Sequence, residues 1–452
     1  MPPLKTATLS VISLGCPKTL VDTERALGFL KKTPVRMVDK IEGSDCVLIN
    51  TCAFIESASQ ESIDTILNAV RLKKDGSLKK IIVTGCLPQR YGQDLVRELE
   101  EVDAFLGTDA YHTLPETLAR VLQDERVTQL ADTRTLYDEL SERSLFTATH
   151  TAYLKIAEGC DKKCTFCTIP FIRGGQRSRT IESLVREAEG LAAQGVKELV
   201  LVSQNTTSFG FDRGRPELAR LLKSLARVPG VRWIRFLYNY PDDFGEEVIE
   251  ALHEEEALVP YVDLPLQHVS DRILRRMARP MGRAAIEELL QKIRKRVPDV
   301  AIRTQFIVGF PGEGEEEFTE LCGFLNEWKF ERLGLFMFSK EEGTPSARLD
   351  GQVSDRVKEE RFDRASLLQR EVSTGLNARL MGREVLCLVD ETAQEKGVYL
   401  GRTAWDAPEV DGQVFIHSEE ALHPGDFVRV RIEDTLEYDL VGRALRTGSG
   451  QA

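Results

Sequence analysis

The sequence predicts an α/β protein with three domains: an N-terminal parallel α/β domain, a central partial TIM barrel and a small antiparallel, OB-like β-barrel at the C-terminus. Two patterns predict it. Strand-like and helix-like segments alternate through the first three quarters of the chain, and short strands separated by turns fill the remainder. A chain of 452 residues also exceeds one ordinary core. We place the domains at residues 1–140, 141–378 and 379–452.

Three apolar, β-branched runs define the first domain: "TLSVISLGC", "SDCVLINTC" and "KKIIVTGC". Each leads into a helix-like segment, respectively "KTLVDTERALGFLKK", "ESIDTILNAVRLKK" and "RYGQDLVRELEEV". This alternation favours parallel strands in a layered sheet. The runs end in Cys16, Cys52 and Cys86, so the three thiols are expected at the carboxyl edge of one sheet, where such sheets bind ligands. The pattern predicts a three-cysteine site with an open coordination position.

A polar, threonine-rich stretch, "ADTRTLYDELSERSLFTATHT", is interpreted as a linker to the second domain. Six strand-like runs then recur with helical patterns between them: "YLKIAEGC", "KELVLVSQN", "VRWIRFLYN", "VPYVDLPLQ", "DVAIRTQFIVGF" and "ERLGLFMFS". Six such units predict a partial barrel whose site lies at the carboxyl ends of the strands.

The final part of the chain begins with a charged amphipathic pattern over residues 352–380, which predicts a helix that straps the barrel to the tail. Beyond it, five short strand-like runs are separated by Gly, Pro or Asp turns. This spacing is typical of a small five-stranded barrel.

Composition narrows the class of protein. No apolar run reaches the roughly 18 residues of a membrane helix, and the start lacks the features of a signal peptide, so a cytoplasmic protein without membrane contact is expected. Nine cysteines without an export signal favour reduced thiols over disulfides. A formal net charge of −12 argues against general nucleic-acid affinity and suits a basic protein partner.

The most specific motif is "EGCDKKCTFCTIPFIRGG", in which Cys160, Cys164 and Cys167 follow the first strand of the predicted barrel. Structural zinc requires four protein ligands, whereas an iron–sulfur cubane on three thiolates keeps one iron open. A zinc loop completed by the distant Cys322 is the alternative. Cys46, Cys322 and Cys387 lie inside apolar patterns and are predicted to be inert. The six histidines lie away from both trios, so no histidine ligand is expected.

CxxxCxxC at the mouth of a partial barrel resembles the radical S-adenosylmethionine (SAM) enzymes. With the N-terminal trio and a C-terminal barrel similar to a TRAM domain, the chain resembles the methylthiotransferase family over nearly its whole length. "SLGCPKTLVDTE" and "FSKEEGTPS" resemble the branch that modifies a ribosomal protein, the RimO type. The branches that modify transfer RNA more usually carry glutamine after the first cysteine. Asn205 and Gln305 stand where relatives commonly have aspartate and threonine.

The resemblance implies SAM and two 4Fe-4S clusters as cofactors. The implied cluster ligands are Cys16, Cys52 and Cys86 for cluster 1, and Cys160, Cys164 and Cys167 for cluster 2, which chelates SAM. Phe166 and Gln204 are further candidates for SAM binding. Arg303 is the candidate to pair with the methionyl carboxylate of SAM.

The resemblance also implies the reaction. An electron donor reduces cluster 2, SAM yields a 5′-deoxyadenosyl radical, and this radical removes hydrogen from the β-carbon of an aspartate in the twelfth small-subunit ribosomal protein. Cluster 1 then delivers a methylthio group. Two alternatives stay open: a methylthiotransferase acting on adenosine in transfer RNA, and an iron–sulfur electron carrier or scaffold without SAM chemistry.

The charge of the C-terminal domain distinguishes between a ribosomal protein and transfer RNA as the expected substrate. From residue 381 onward the chain has 14 acidic residues and 7 basic residues. Because RNA binding draws on lysine and arginine, this tail is expected to bind transfer RNA poorly and to attract a basic ribosomal protein toward the barrel mouth in a salt-sensitive manner.

Overall fold

The computed structural model describes residues 6–130, 143–146 and 149–445. Most of the threonine-rich stretch interpreted as a linker, residues 131–142 and 147–148, lies outside the described residues. In the described part of the chain, no helix is both long and apolar enough to cross a bilayer.

The N-terminal domain is a parallel sheet of six strands in the order β2-β1-β3-β4-β5-β6. Its strands are β1 (Ala7–Ser13), β2 (Val35–Met37), β3 (Cys46–Thr51), β4 (Lys80–Gly85), β5 (Ala104–Leu106) and β6 (Val127–Gln129). Its helices are α1 (Pro17–Leu30), α2 (Glu56–Lys74), α3 (Cys86–Glu98) and α4 (Leu114–Val121). An apolar core lies on each face of the sheet, so the predicted layered α/β domain is confirmed.

Some predicted boundaries in this domain were wrong. The helical patterns placed the starts of α2 and α3 at residues 61 and 90, but these helices begin at Glu56 and Cys86. Gly85, with φ of 100°, allows the chain to pass from β4 straight into α3. The sequence also gave no sign of β2, β5 and β6, because strands of three residues are too short to show a period.

The central domain is an open barrel made of two three-stranded parallel sheets, β7-β10-β11 and β12-β13-β14, with an isolated parallel bridge between Ile234 on β11 and Leu258, which precedes β12. These strands are β7 (Thr151–Lys155), β10 (Glu198–Val202), β11 (Trp233–Phe236), β12 (Tyr261–Gln267), β13 (Ala301–Val308) and β14 (Arg332–Met337), and a two-residue hairpin is formed by β8 (Ala157–Glu158) and β9 (Arg177–Ser178). The helices are α5 (Ile169–Arg173), α6 (Ile181–Ala193), α7 (Leu218–Leu225), α8 (Glu246–Glu254), α9 (Asp271–Arg276), α10 (Arg283–Arg296), α11 (Glu315–Trp328) and α12 (Asp355–Ala378). All six predicted strands are present, and α12 is the predicted connecting helix.

The C-terminal domain is a closed five-stranded barrel in the order β15-β16-β17-β19-β18. Its strands are β15 (Glu384–Thr392), β16 (Val398–Thr403), β17 (Val414–His417), β18 (Phe427–Thr435) and β19 (Leu440–Ala444). Four of the neighbouring pairs are antiparallel, and β17 pairs with β19 in parallel to close the barrel.

The small barrel covers the amino ends of the central strands. Arg402 donates a hydrogen bond to Glu198 at 2.7 Å, at the first residue of β10. Asp411 accepts one from the hydroxyl of Tyr261 at 2.6 Å, at the first residue of β12. Asp406 pairs with Arg332 at the first residue of β14. The small barrel therefore packs at the opposite end from the barrel mouth toward which its charge was expected to attract substrate.

Helix α1 of the first domain closes the carboxyl end of the same barrel. Val21 on α1 lies in one apolar cluster with Val202 and Leu237, near the carboxyl ends of β10 and β11. A buried ion cluster fixes the two domains together, because Glu187 on α6 binds Arg25, Arg143 and Arg179. Burial acts to raise the pKa of Glu187, but the three guanidinium groups outweigh it and hold the pKa at about 2.

Candidate cluster-binding site

The first cysteine trio lies where three neighbouring strands end. Cys16 is the residue before α1, Cys52 directly follows β3, and Cys86 directly follows β4. Because β1, β3 and β4 are adjacent and parallel, their carboxyl ends bring the three thiols to one edge of the sheet. Burial, together with the charges of Cys86 and Cys16, raises the pKa of Cys52 to about 12. The thiols therefore lie within electrostatic reach of one another.

Two further side chains contact this trio. The Thr19 hydroxyl accepts a hydrogen bond from the Cys16 backbone N–H at 2.9 Å and lies 3.6 Å from the Cys16 sulfur. Arg173 Nη2 donates to the Cys86 sulfur at 3.2 Å. Burial acts to raise the pKa of Cys16, but Lys18 and the hydrogen bonds around Thr19 outweigh it and lower the pKa below its ordinary value. These groups favour a thiolate at Cys16, whereas burial outweighs Arg173 and raises the pKa of Cys86.

The second trio lies in the loop between β8 and α5. The Cys160 N–H donates to the Gly174 carbonyl at 3.0 Å, and the Cys167 N–H donates to the Cys164 carbonyl at 3.1 Å. These bonds wrap the loop so that all three cysteines are partly buried. Burial raises the pKa of Cys160 to about 11 and that of Cys167 to about 12, with further contributions from the neighbouring thiols of the trio.

The two trios suit a cluster better than a single ion. All six thiols are free. Within the described ranges, no three His, Cys, Asp or Glu side chains converge tightly enough for one metal ion. Thiolates are the donors that hold iron–sulfur cubanes. Cys322 lies on α11, packed against the main barrel core beside Arg364 and Glu315, so it does not complete a zinc loop with the second trio.

Phe166 and Gln204 both lie beside the cysteine loop. The Phe166 ring meets Phe310 edge-on, with centroids 6.4 Å apart, and so packs into an apolar cluster. Gln204 follows β10, and its Oε1 accepts the Gly159 N–H at 2.9 Å while its Nε2 donates to Glu158 at 2.6 Å. Gln204 thus fixes the start of the loop that carries Cys160.

Arg303 is paired with carboxylates in the structure. It is the third residue of β13, toward the amino end of the barrel, and its guanidinium lies 3.0 Å from Asp263 and 3.5 Å from Asp411 of the small barrel. Although burial acts to lower it, these two carboxylates raise the pKa of Arg303. The role of Arg303 toward the carboxylate of SAM stays a prediction, and in the structure its partners are Asp263 and Asp411.

Three parts of the chain match known protein families. Residues 154–325 match the Radical SAM superfamily, residues 8–107 match the Uncharacterized protein family UPF0004, and residues 381–445 match the TRAM domain. The chain is 46% identical over 438 residues to the ribosomal protein uS12 methylthiotransferase RimO of Desulforamulus reducens, covering 96% of this chain and 99% of that protein. The chain belongs to the RimO family. The RimO proteins of Clostridioides difficile and Geobacter sulfurreducens are 42% and 44% identical, each covering 97% of this chain and 98% of the relative.

Solved structures resemble the fold of this RimO-family chain. The radical S-adenosylmethionine methyltransferase TsrM from Kitasatospora setae, solved with tryptophan and a SAM analog, has a TM-score of 0.57 at 13% identity and covers 81% of this chain and 89% of its own. TsrM solved with cobalamin and a [4Fe-4S] cluster gives a TM-score of 0.54 at 14% identity, covering 90% and 82%. As a radical SAM protein, the chain uses an iron–sulfur cluster and SAM.

A buried ionic network lies between the two trios of this RimO-family chain, and no sequence pattern predicted it. Arg173 contacts Asp22 at 2.8 Å and Glu158 at 3.2 Å, in addition to the Cys86 sulfur. Lys155 contacts Glu158 at 2.6 Å and also Asp22. With Gln204 on Glu158, a continuous chain of polar contacts runs from Cys86 to the backbone of Gly159. In the sequence, the motifs next to this network are "GC" (residues 15–16) at the first trio and "IRGG" (residues 172–175) after the second, and neither indicates an ionic network.

Gly15→Ala tests whether the first trio is a ligand set. A Cβ at residue 15 would lie 2.6 Å from the Cys52 Cβ and 3.0 Å from its sulfur, so it would displace the thiol. We expect the reconstituted variant to lose about half of its iron, that is, one of two clusters.

The matched control is Gly76→Ala, because Gly76 also has a positive φ of 76° but a Cβ there would meet nothing within 4 Å. It carries the same kind of backbone strain, on the order of 1 kcal/mol, without moving a cysteine. Equal iron in the two variants would mean that Cys52 is not a ligand.

Proposed function

We propose that this chain transfers a methylthio group to the β-carbon of an aspartate in ribosomal protein uS12, using SAM and two 4Fe-4S clusters. One observation carries the proposal. Two three-cysteine sites, in two domains, open at the carboxyl ends of parallel strands and are joined by a buried chain of polar contacts. An electron carrier would need only one such site and no barrel. The RimO name of the relatives supplies the substrate.

The six cysteines would divide between the clusters by domain. Cys160, Cys164 and Cys167 would hold the cluster that binds SAM, and Cys16, Cys52 and Cys86 would hold the other. When bound, the clusters and SAM supply the electron, the hydrogen-abstracting radical, the sulfur and the methyl group. A one-electron donor from outside the chain belongs to the proposal, because reductive cleavage of SAM consumes an electron.

The chain itself orders and shields the space between the trios. Gln204 accepts the Gly159 N–H and so fixes the cysteine loop, in keeping with a place for Gln204 and Phe166 around SAM. Arg173 donates to the Cys86 sulfur while Asp22 and Glu158 hold its guanidinium. Helix α1 covers the barrel lumen and excludes water from a radical reaction that would otherwise be quenched.

The surface of the small barrel supports a protein substrate rather than transfer RNA. Nine acidic side chains on it are exposed, against five basic ones, among the described residues of 381–445. The exposed acids are Glu384, Glu391, Glu395, Glu409, Glu419, Glu420, Glu433, Asp434 and Glu437. Such a surface repels a polyanion and attracts a basic protein. A ribosomal substrate also places the proposed activity in the cytoplasm.

In the test, the reconstituted full chain is incubated with uS12 and, in a parallel reaction, with transfer RNA. Both reactions contain SAM and a chemical reductant and are kept anaerobic. The full chain is required because the small barrel buries one face against the central domain. Mass spectrometry is expected to find one methylthio group on an aspartate of uS12 and none on adenosine. Modified adenosine without modified uS12 would establish the transfer-RNA alternative instead.

A further inference from the structure

Arg173 is a residue of the central domain that contacts a thiol of the first domain. It is the last residue of α5, six residues after Cys167. The residue is only 2% exposed. Its Nη2 donates a hydrogen bond to the Cys86 sulfur at 3.2 Å. The helix that follows the second trio therefore carries a hydrogen-bond donor to the first.

Two carboxylates fix the direction of this guanidinium group. Its Nη1 donates to Asp22 Oδ2 at 2.8 Å and to Glu158 Oε2 at 3.2 Å. Lys155 binds the same two carboxylates, with its Nζ 2.6 Å from Glu158 Oε2. The formal charges of these four side chains cancel. Arg173 therefore acts on the Cys86 sulfur through an oriented N–H rather than through an unbalanced charge.

The second trio has longer contacts of this kind. Arg279 Nη1 lies 3.8 Å from the Cys164 sulfur, and the hydroxyl oxygen of Tyr240 lies 4.0 Å from it. Both distances exceed the 3.2 Å between Arg173 and Cys86. Because a hydrogen bond weakens as its atoms separate, the stronger of these donors contacts the first trio.

A hydrogen bond to a ligand sulfur favours the reduced state of an iron–sulfur cluster. Reduction adds negative charge that the sulfurs share, and an N–H directed at a sulfur stabilises that charge. Hydrogen bonds to the sulfurs are among the features that set cluster potentials. Two sites that each supply three thiolates would differ in potential when only one of them has a short N–H···S bond.

We propose that Arg173 is a positioning residue that, through its hydrogen bond to the Cys86 sulfur, raises the reduction potential of a cluster held by the first trio. This inference rests on the proposed function, which assigns that cluster to Cys16, Cys52 and Cys86, and it goes beyond that assignment. A site of higher potential is the weaker electron donor. The bond therefore leaves reductive cleavage of SAM to the second trio.

The test is an anaerobic redox titration of the reconstituted full chain and of Arg173→Gln, followed by electron paramagnetic resonance. The potential of the first trio is the one that disappears when Cys16, Cys52 and Cys86 are all replaced by alanine. At that site, Arg173→Gln is expected to raise the ratio of oxidised to reduced cluster about 10-fold at a fixed potential, which is a fall of about 59 mV for one electron. The potential of the second trio is expected to stay unchanged.

Lys155→Gln is the matched control, because it removes one positive charge from the same two carboxylates. It is expected to leave the potential of the first trio unchanged. If Lys155→Gln lowers that potential as much as Arg173→Gln does, the net charge of the network sets it and the inference is overturned. Equal shifts at both trios in Arg173→Gln would overturn it as well.

Arg173→Lys provides the comparison if the glutamine variant loses iron from the first trio. Lysine keeps the positive charge but lacks the rigid fork that holds two carboxylates and a sulfur together, so a similar fall in potential is expected. If both variants lose the first cluster while Lys155→Gln keeps it, Arg173 stabilises the site rather than setting its potential. That result also contradicts the inference.

The proposed function fails separately. If one of two potentials disappears with Cys16, Cys52 and Cys86 but Arg173→Gln changes neither, only the role of Arg173 is overturned. If the unaltered chain holds a single cluster, or keeps both clusters without those three cysteines, the ligand assignment in the proposed function is overturned and this inference with it.

Discussion

Replacing Cys160, Cys164 and Cys167 together by alanine is expected to remove one of two 4Fe-4S clusters and to abolish reductive cleavage of SAM. The reason is that these thiols lie in the loop between β8 and α5 and, in the proposed assignment, would hold the cluster whose open iron would take SAM. Iron and sulfide per chain should fall by half after anaerobic reconstitution. The amount of 5′-deoxyadenosine should fall to that of a reaction without protein.

Cys322→Ala is the matched control for this variant. Cys322 is a partly buried free thiol of the same domain, and it lies on α11 away from the loop. It should leave iron content and SAM cleavage as they are in the unaltered chain. A triple variant that retained both clusters would show that the ligands are misassigned. Zinc bound by the unaltered chain and lost from Cys322→Ala would revive the four-ligand zinc loop.

Replacing Cys16, Cys52 and Cys86 together by alanine is expected to separate the two halves of the reaction. Because these thiols lie just after β1, β3 and β4 in another domain, the loop that carries the second trio keeps its own contacts to Gly174 and Gln204. The variant should still form 5′-deoxyadenosine from SAM. It should form no methylthiolated uS12, since the site proposed to supply the sulfur is gone.

Cys46→Ala serves as the control in this domain, since Cys46 is a fully buried thiol on β3 that belongs to neither trio. Removing its sulfur should cost about 1 kcal/mol of stability and leave the product yield intact. Both variants are assayed for 5′-deoxyadenosine and, by mass spectrometry, for modified uS12. Normal yield from the triple variant would mean that the N-terminal cysteines only stabilise the fold.

The pattern of residues along the chain predicts both cysteine trios, and the structure places the members of the first trio after neighbouring parallel strands. Cys160, Cys164 and Cys167 are close in sequence, so their spacing alone places them in one loop. Cys16, Cys52 and Cys86 lie more than thirty residues apart. They could still be predicted to be neighbours, because parallel strands separated by helices end at the same edge of a sheet.

The sequence predicted which strand carries Arg303, but it did not predict where along that strand the residue lies. The sequence placed Arg303 on a barrel strand, and it does lie on β13. It did not indicate whether residue 303 belongs to the amino or the carboxyl end, because an apolar run shows burial and not depth. Asp411, one of the carboxylates that binds Arg303, lies 108 residues further along the chain in another domain, so no local pattern could have revealed the pair.

The sequence by itself determined the three domains, the two thiol sites and the acidic character of the tail, because these depend on local periodicity, spacing and composition. Only the tertiary structure decided that the small barrel covers the amino ends of the central strands while α1 covers the carboxyl ends. It also decided which buried charges meet, as Arg173 does with Asp22 and Glu158. Those outcomes depend on which distant segments pack together, and the energy of a buried charge is set by whatever lies within a few ångströms of it in space rather than in sequence.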